Sequence, residues 1–218
     1  MKKKAAAVSR LFRCYDGEVK YLIGIDEAGR GPLAGPVSVG TVLVPMDFDW
    51  KLIEGVRDSK KLSEKKREEI FEHTRELTES SALRFAVSTS SAAYIDRYGI
   101  VPAIKRALAE ALSRFEIEPQ ECRVLLDGSL KAPEEYIHQE TIIRGDDTEP
   151  VISLASIMAK VTRDRMMKQL SPKYPAYDFH VHKGYGTASH LSAIARCGLS
   201  DIHRTSFCSR LRVGTKSV

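Results

Sequence analysis

Apolar residues run through Tyr21-Leu22-Ile23-Gly24-Ile25 and stop at Asp26-Glu27-Ala28-Gly29-Arg30-Gly31-Pro32, the pattern of a buried strand that empties into a glycine-rich loop. Val37 to Val44 forms a second β-rich run, stopped by Pro45, and its nearness to the first favours antiparallel pairing through the loop. Ser63 is placed to cap a charged helix from Glu64 to about Glu79, with Ile70, Phe71, Thr74 and Leu77 on one face. Leu83 to Val87 reads as another strand. Ile100, Ile104, Leu108, Ala111, Leu112 and Phe115 keep helical spacing, with Pro102 in the first turn.

Arg123-Val124-Leu125-Leu126-Asp127-Gly128 is an apolar strand ending in an acid and a glycine, and a short strand follows at Glu140–Ile143. Ser153 can cap a long helix whose apolar face carries Ile157, Val161 and Met167. Further helices are expected near Thr187–Cys197, closed by Gly198, and near Thr205–Leu211. Strands come early and helices late, so the expected fold is α/β, one mixed sheet flanked by helices. Residues 1–20 read as an extension or edge strand, 21–172 as the main domain, and 173–218 as a helical region packed on it.

Composition changes this picture little. Hydrophobic and charged fractions of 43% and 29% are those of an ordinary globular protein, and a net charge of +5 is compatible with a polyanionic partner without requiring one. Cys14, Cys122, Cys197 and Cys208 are far apart with no C-x-x-C pair, which argues against structural zinc and fits a reducing cytosol. No run approaches the ~20 apolar residues of a membrane span. The Lys2-Lys3-Lys4 start is followed by too short an apolar stretch for a secretory signal. A cytoplasmic monomer with no membrane contact is expected.

The chemistry-bearing residues are carboxylates. Asp26-Glu27 and Asp127 end strands, and Asp146-Asp147 follows a β-rich run; ligand sites of α/β sheets gather where strand ends meet loops. Neighbouring strand residues face opposite sides, so Asp26 and Glu27 share a site only if the strand breaks there, a break that Gly29 and Gly31 would permit. Clustered carboxylates repel one another unless a cation is bound, and an all-oxygen set points to Mg²⁺ or Mn²⁺. Taken alone, each acid is more often a turn or cap residue.

Six ordered blocks tip that balance. Gly24-Ile25-Asp26-Glu27-Ala28-Gly29-Arg30-Gly31-Pro32-Leu33-Ala34-Gly35-Pro36-Val37 is followed by Asp58-Ser59-Lys60-Lys61-Leu62-Ser63 and Leu126-Asp127-Gly128. Then come Ala155-Ser156-Ile157-Met158-Ala159-Lys160-Val161-Thr162-Arg163-Asp164, Lys183-Gly184-Tyr185-Gly186-Thr187 and His203-Arg204-Thr205-Ser206-Phe207. Together they resemble the ribonuclease HII family, from about Tyr21 to Leu211. The resemblance implies a ribonuclease H-like mixed sheet with a helical C-terminal region. It also implies cleavage of RNA/DNA hybrids and of duplex DNA with embedded ribonucleotides, 5′ of the ribonucleotide, leaving 3′-hydroxyl and 5′-phosphate ends.

Carried over by position, the metal ligands and catalytic groups would be Asp26, Glu27, Asp127 and Asp146, with Asp147 a competitor for the fourth place. Asp127-Gly128-Ser129 departs from the D-G-N of many relatives, as Arg144-Gly145-Asp146 departs from K-G-D or K-A-D. The Gly29-Arg30-Gly31 loop and Tyr185 would read the ribose 2′-hydroxyl, which can both donate and accept hydrogen bonds. Lys60, Lys61, Lys183, Arg163 and Arg204 are candidate phosphate contacts.

His180, His182, His190 and His203 lack the acid or cysteine partners of a zinc site, and His203 is expected to support packing or touch a phosphate. Ribonuclease HIII, the related alternative, normally carries an extra N-terminal substrate-binding domain, and only about twenty residues precede the first strand. A silent duplex-binding module is the other alternative, and the presence of all four acids speaks against it.

Overall fold

The computed structural model describes residues 19–56, 62–209 and 211. Lys60 and Lys61, Cys14 and nearly all of the N-terminal segment lie outside these. The strands are β1 (Tyr21–Ala28), β2 (Val37–Pro45), β3 (Arg84–Ser90), β4 (Cys122–Asp127) and β5 (His138–Ile142). They form one mixed sheet in the order β3-β2-β1-β4-β5, antiparallel from β3 to β1 and parallel from β1 to β5. The helices are α1 (Glu64–Glu79), α2 (Ala92–Tyr98), α3 (Ile100–Ser113), α4 (Gly145–Thr148) and α5 (Pro150–Leu170), then α6 (Phe179–His182), α7 (Ala188–Cys197) and α8 (Thr205–Cys208).

Strand alternation sends each central strand into two cores. Ile23, Ile25, Val37 and Val39 meet the apolar face of α3, including Ala103, Ile104, Ala107 and Leu108. Val42, Val44 and Leu125 meet α5 through Val151, Leu154, Ala155 and Met158, with Ile70 and Phe71 of α1 closing the edge. A third core, from Ala34, Met167, Tyr177, Phe179, Ala193 and Ile194, joins the loop after β1 to α5, α6 and α7.

Two glycines set how low α5 lies on the sheet. A Cβ on Gly24 would stand 2.3 Å from the Val151 carbonyl, and one on Gly40 would stand 2.3 Å from the Ala155 carbonyl oxygen. With no side chain at either place the helix backbone rests on the strands, and its polar residues come within reach of the end of β1.

Several boundaries differ from the sequence reading. The long helix starts at Pro150, not behind a Ser153 cap: proline fits the first helical position because its missing N–H would have no partner there. Ser153 is buried, and its hydroxyl donates to the Val56 carbonyl instead. The last helix is one turn, Thr205–Cys208, and its start is held by Asp96 of α2, whose carboxylate accepts from the N–H and hydroxyl of both Thr205 and Ser206. Helix α2, capped by Ser91, was not anticipated because seven residues carry too little periodicity. Strand β1 does not break at Asp26; it pairs with β2 as far as Ala28↔Ser38.

The close approach yields a stability contrast. Gly40→Ala should cost about 1–3 kcal/mol by forcing α5 off the sheet. Gly31→Ala, where a Cβ meets nothing within 4 Å, should leave stability unchanged. Urea unfolding midpoints of the two variants check this; equal midpoints would refute the packing argument.

Candidate active site

Strand β1 runs past its neighbour. Its pairing with β4 ends at Ile25↔Leu126, while its pairing with β2 continues, so Asp26 and Glu27 stand at an edge where β1 and β4 part. This resolves the alternation problem without a strand break. Asp26 shares the face of Gly24 and looks toward α5, where Ser156 hydrogen-bonds its carboxyl; Glu27 points the other way but still reaches the opening. Asp127 arrives at the end of β4. All three line one cleft of about 420 Å³, with Gly29, Arg30, Gly31, Arg67, Ser156, Lys160 and Tyr185 among its other walls.

The acids differ in their surroundings. Asp26 is nearly buried, and burial first, then the charges of Glu27 and Asp127, push its carboxyl up to about 8, against the hydrogen bonds from Ser156 and from the Glu27 N–H. Glu27 pairs with Arg30 at 3.2 Å. Asp127 Oδ1 accepts from the Gly145 N–H at 2.7 Å and from the Asp146 N–H at 3.5 Å, so it caps the first turn of α4 from the end of a neighbouring strand. Asp146 is fully buried behind Asp127 and does not line the cleft. Asp147 is partly exposed and pairs with Arg144 at 3.6 Å. Among the described residues no three acid, histidine or cysteine side chains stand close enough to hold a metal ion as placed.

The expected phosphate contacts need correction. Arg163 and Arg204 are fully buried and face carbonyls, not solvent. Arg204 donates to Gly29 O (2.7 Å), Arg30 O (3.0 Å) and Gly35 O (3.0 Å). Arg163 donates to Pro36 O (2.9 Å) and Ala34 O (3.1 Å). Burial, and then the neighbouring Arg163, lower Arg204 to about 10, which leaves it charged at neutral pH. Lys183 is buried as well, its Nζ donating to His180 O at 2.6 Å. Arg163 and Arg204 hold the glycine loop from behind, and Lys183 bonds carbonyls of α6.

The cations that do line the cleft are Arg30, Arg67 and Lys160, of which the last two were not singled out from sequence. A signal was present: Ser156 and Lys160 stand four residues apart, on one face of a helix that is otherwise buried from Val151 to Val161. Tyr185 is 40% exposed, with Lys160 Nζ 5.5 Å and the Arg163 guanidinium 5.7 Å from its ring centre. Its turn is bound to the glycine loop by Leu33 N–H to Gly184 O (2.9 Å), and a Cβ on Gly184 would stand 2.4 Å from Ala34 O.

The family model for ribonuclease HII matches residues 23–210. The chain belongs to the ribonuclease HII family. Among curated relatives, the ribonuclease HII of Ruminiclostridium cellulolyticum is 47% identical over 86% of this chain and 69% of its own length. That of Coxiella burnetii is 45% identical over 85% and 87%. The solved ribonuclease HII of Archaeoglobus fulgidus, in a complex with PCNA, superposes with a TM-score of 0.70 at 30% identity, covering 89% of this chain and 98% of that one. This ribonuclease HII family member is therefore an enzyme, a nuclease on the ribonuclease H fold. No helix among the described residues is long and apolar enough to cross a membrane.

The raised Asp26 carboxyl has a measurable consequence. Between its ordinary value of 3.8 and about 8, the folded chain keeps a proton that the unfolded chain has released. Stability is therefore greatest below the lower value and falls as pH rises through the upper one, by at most about 1.4 kcal/mol per pH unit inside the window. With divalent cations chelated, urea unfolding at pH 5 and pH 8 should show this loss, and Asp26→Asn should abolish most of it. An equal slope in the variant would remove Asp26 as its source.

Proposed function

We propose that this enzyme nicks the ribonucleotide-containing strand of RNA/DNA hybrids and of DNA duplexes with embedded ribonucleotides. The cut falls 5′ of the ribonucleotide and leaves 3′-hydroxyl and 5′-phosphate ends. The observation that carries the reading is the convergence of Asp26, Glu27 and Asp127 on one cleft that the Gly29–Gly31 loop and Tyr185 also line.

The donor set fits a hard divalent cation, Mg²⁺ or Mn²⁺. It consists of oxygens alone, and Asp26 retains a proton at neutral pH that a cation would displace. Bound there, a pair of such ions would activate water and stabilise the leaving oxygen. Asp26, Glu27 and Asp127 would hold them, with Asp146, whose backbone touches the Asp127 carboxylate, as the fourth ligand in preference to the outward, Arg144-paired Asp147.

Specificity is assigned to the loop and Tyr185. The carbonyls of Gly29 and Arg30 are engaged by Arg204, so the loop's amides are the backbone groups left to meet a sugar hydroxyl. Tyr185 supplies a hydroxyl and a flat ring against the sugar. Arg30, Arg67 and Lys160 contact phosphates, in place of the buried arginines.

The test is nicking of a DNA duplex that carries one ribonucleotide. With Mg²⁺ or Mn²⁺ the protein should cut it and spare the all-DNA duplex; no cutting with either metal defeats the reading. Asp26→Asn and Asp127→Asn should each lower the rate by about a thousandfold or more, the scale of a lost central electrostatic group, with duplex binding retained. Asp146→Asn should be crippled and Asp147→Asn near normal; the reverse reassigns the fourth ligand. Tyr185→Ala should lower the rate on the single-ribonucleotide duplex relative to the hybrid by roughly tenfold, the worth of a lost hydrogen bond to substrate.

A further inference from the structure

Three histidines buried under the Tyr185 turn form hydrogen bonds whose direction the backbone dictates. The Ser200 N–H can only donate, and it reaches His203 Nδ1 at 2.9 Å, so that nitrogen carries no proton. The ring proton of neutral His203 is then on Nε2, which lies 3.0 Å from His190 Nε2. His190 Nε2 must accept, which places the His190 proton on Nδ1, 2.9 Å from the Tyr185 carbonyl oxygen. His182 is set in the same way: the Gly184 N–H donates to its Nδ1 at 3.1 Å, leaving Nε2–H to donate to Tyr177 O at 2.5 Å.

All six ring nitrogens are used, and each ring is neutral. Burial, then the neighbouring His190, push His203 down to about 4, and burial likewise lowers His190. Packing among Tyr177 and Phe179 would be served as well by leucine or phenylalanine, and it requires no proton order. The order that runs through His203 and His190 ends at the main chain of Tyr185, while that of His182 ends at the Tyr177 carbonyl.

We propose that His203 and His190 are positioning residues for ribose recognition, a directed relay from Ser200 through both rings that clamps the Tyr185 carbonyl. The proposal rests on Tyr185 being the residue that reads the sugar. The Tyr185 N–H donates to His182 O at 3.0 Å and its carbonyl also accepts from the Thr187 N–H at 2.8 Å, so the peptide groups on both sides of its Cα are held. Among the described residues the cations flanking its ring are Lys160 and Arg163, so a fixed backbone at Tyr185 limits where its hydroxyl can lie.

The experiment is a double-mutant cycle on the ratio of cutting rates for the single-ribonucleotide duplex and the RNA/DNA hybrid, with ¹⁵N spectra of the wild-type histidine rings. His190→Leu should lower the ratio about tenfold, and His190→Asn, whose amide can still donate to the Tyr185 carbonyl, should recover much of it. In the Tyr185→Ala background His190→Leu should cause no further fall, the non-additivity of groups acting as one unit. The spectra should show His190 protonated on Nδ1 and His203 on Nε2.

Additive losses, or His190 protonated on Nε2, would overturn the relay while leaving Tyr185 as the reader. An unchanged ratio in Tyr185→Ala alone would overturn the reader, and with it the relay's purpose. If His190→Leu fails to fold, the ring spectra and His190→Asn decide: a tautomer opposite to the expected one, or an Asn variant as impaired as Tyr185→Ala, refutes the proposal.

Discussion

Two buried guanidinium groups hold the loop between β1 and β2, and the cleft depends on them. Arg163 from α5 and Arg204 from the segment before α8 donate to five carbonyls between Gly29 and Pro36. Taking two like charges out of water costs several kcal/mol each, and only such a set of acceptors makes it tolerable. A loop with its carbonyls turned inward suits that role, because it brings partial negative charge without another ionised group. The same contact explains why position 29 has no side chain: a Cβ there would lie 2.0 Å from Arg163 Nε, and the residue's φ is +88°. The glycine serves the loop's foundation as much as any ligand.

The acidic wall is built on the opposite principle. Asp26 is nearly buried beside Glu27 and Asp127, and the fold itself supplies only partial relief: two hydrogen bonds for Asp26, Arg30 for Glu27, and the first turn of α4 for Asp127. A cluster left this far from electrostatic balance is costly to the apo protein, and functional sites are where such costs are kept. The buried guanidinium groups are solvated by loop carbonyls, whereas the acids have no comparable set of partners. That asymmetry underlies the proposal that cations are held at the acids and the sugar is met by the loop and Tyr185.

Much of this was legible in the chain. The apolar runs of β1, β2 and β4, the Ser63 cap and the amphipathic helices α1 and α3 follow from periodicity, because each element buries one predictable face. Asp26, Glu27 and Asp127 were legible as strand-end acids, and the ordered motifs named the family. The motif Ala155–Asp164 marked a helix of importance but not which of its residues face the cleft.

What only the tertiary structure decided was direction. Arg163, Arg204 and Lys183 are indistinguishable in sequence from cations that meet phosphate; three-dimensional packing places carbonyls around them and solvent around Arg30. Asp26 and Glu27 needed no strand break, because β4 ends its pairing at Ile25 while β2 does not, a matter of register between segments a hundred residues apart in sequence. The sequence by itself determined which chemical groups the protein carries and the rhythm that makes strands and helices. Which way each group faces depends on non-local pairing and close approach, such as α5 lying on Gly24 and Gly40, and local patterns do not encode that.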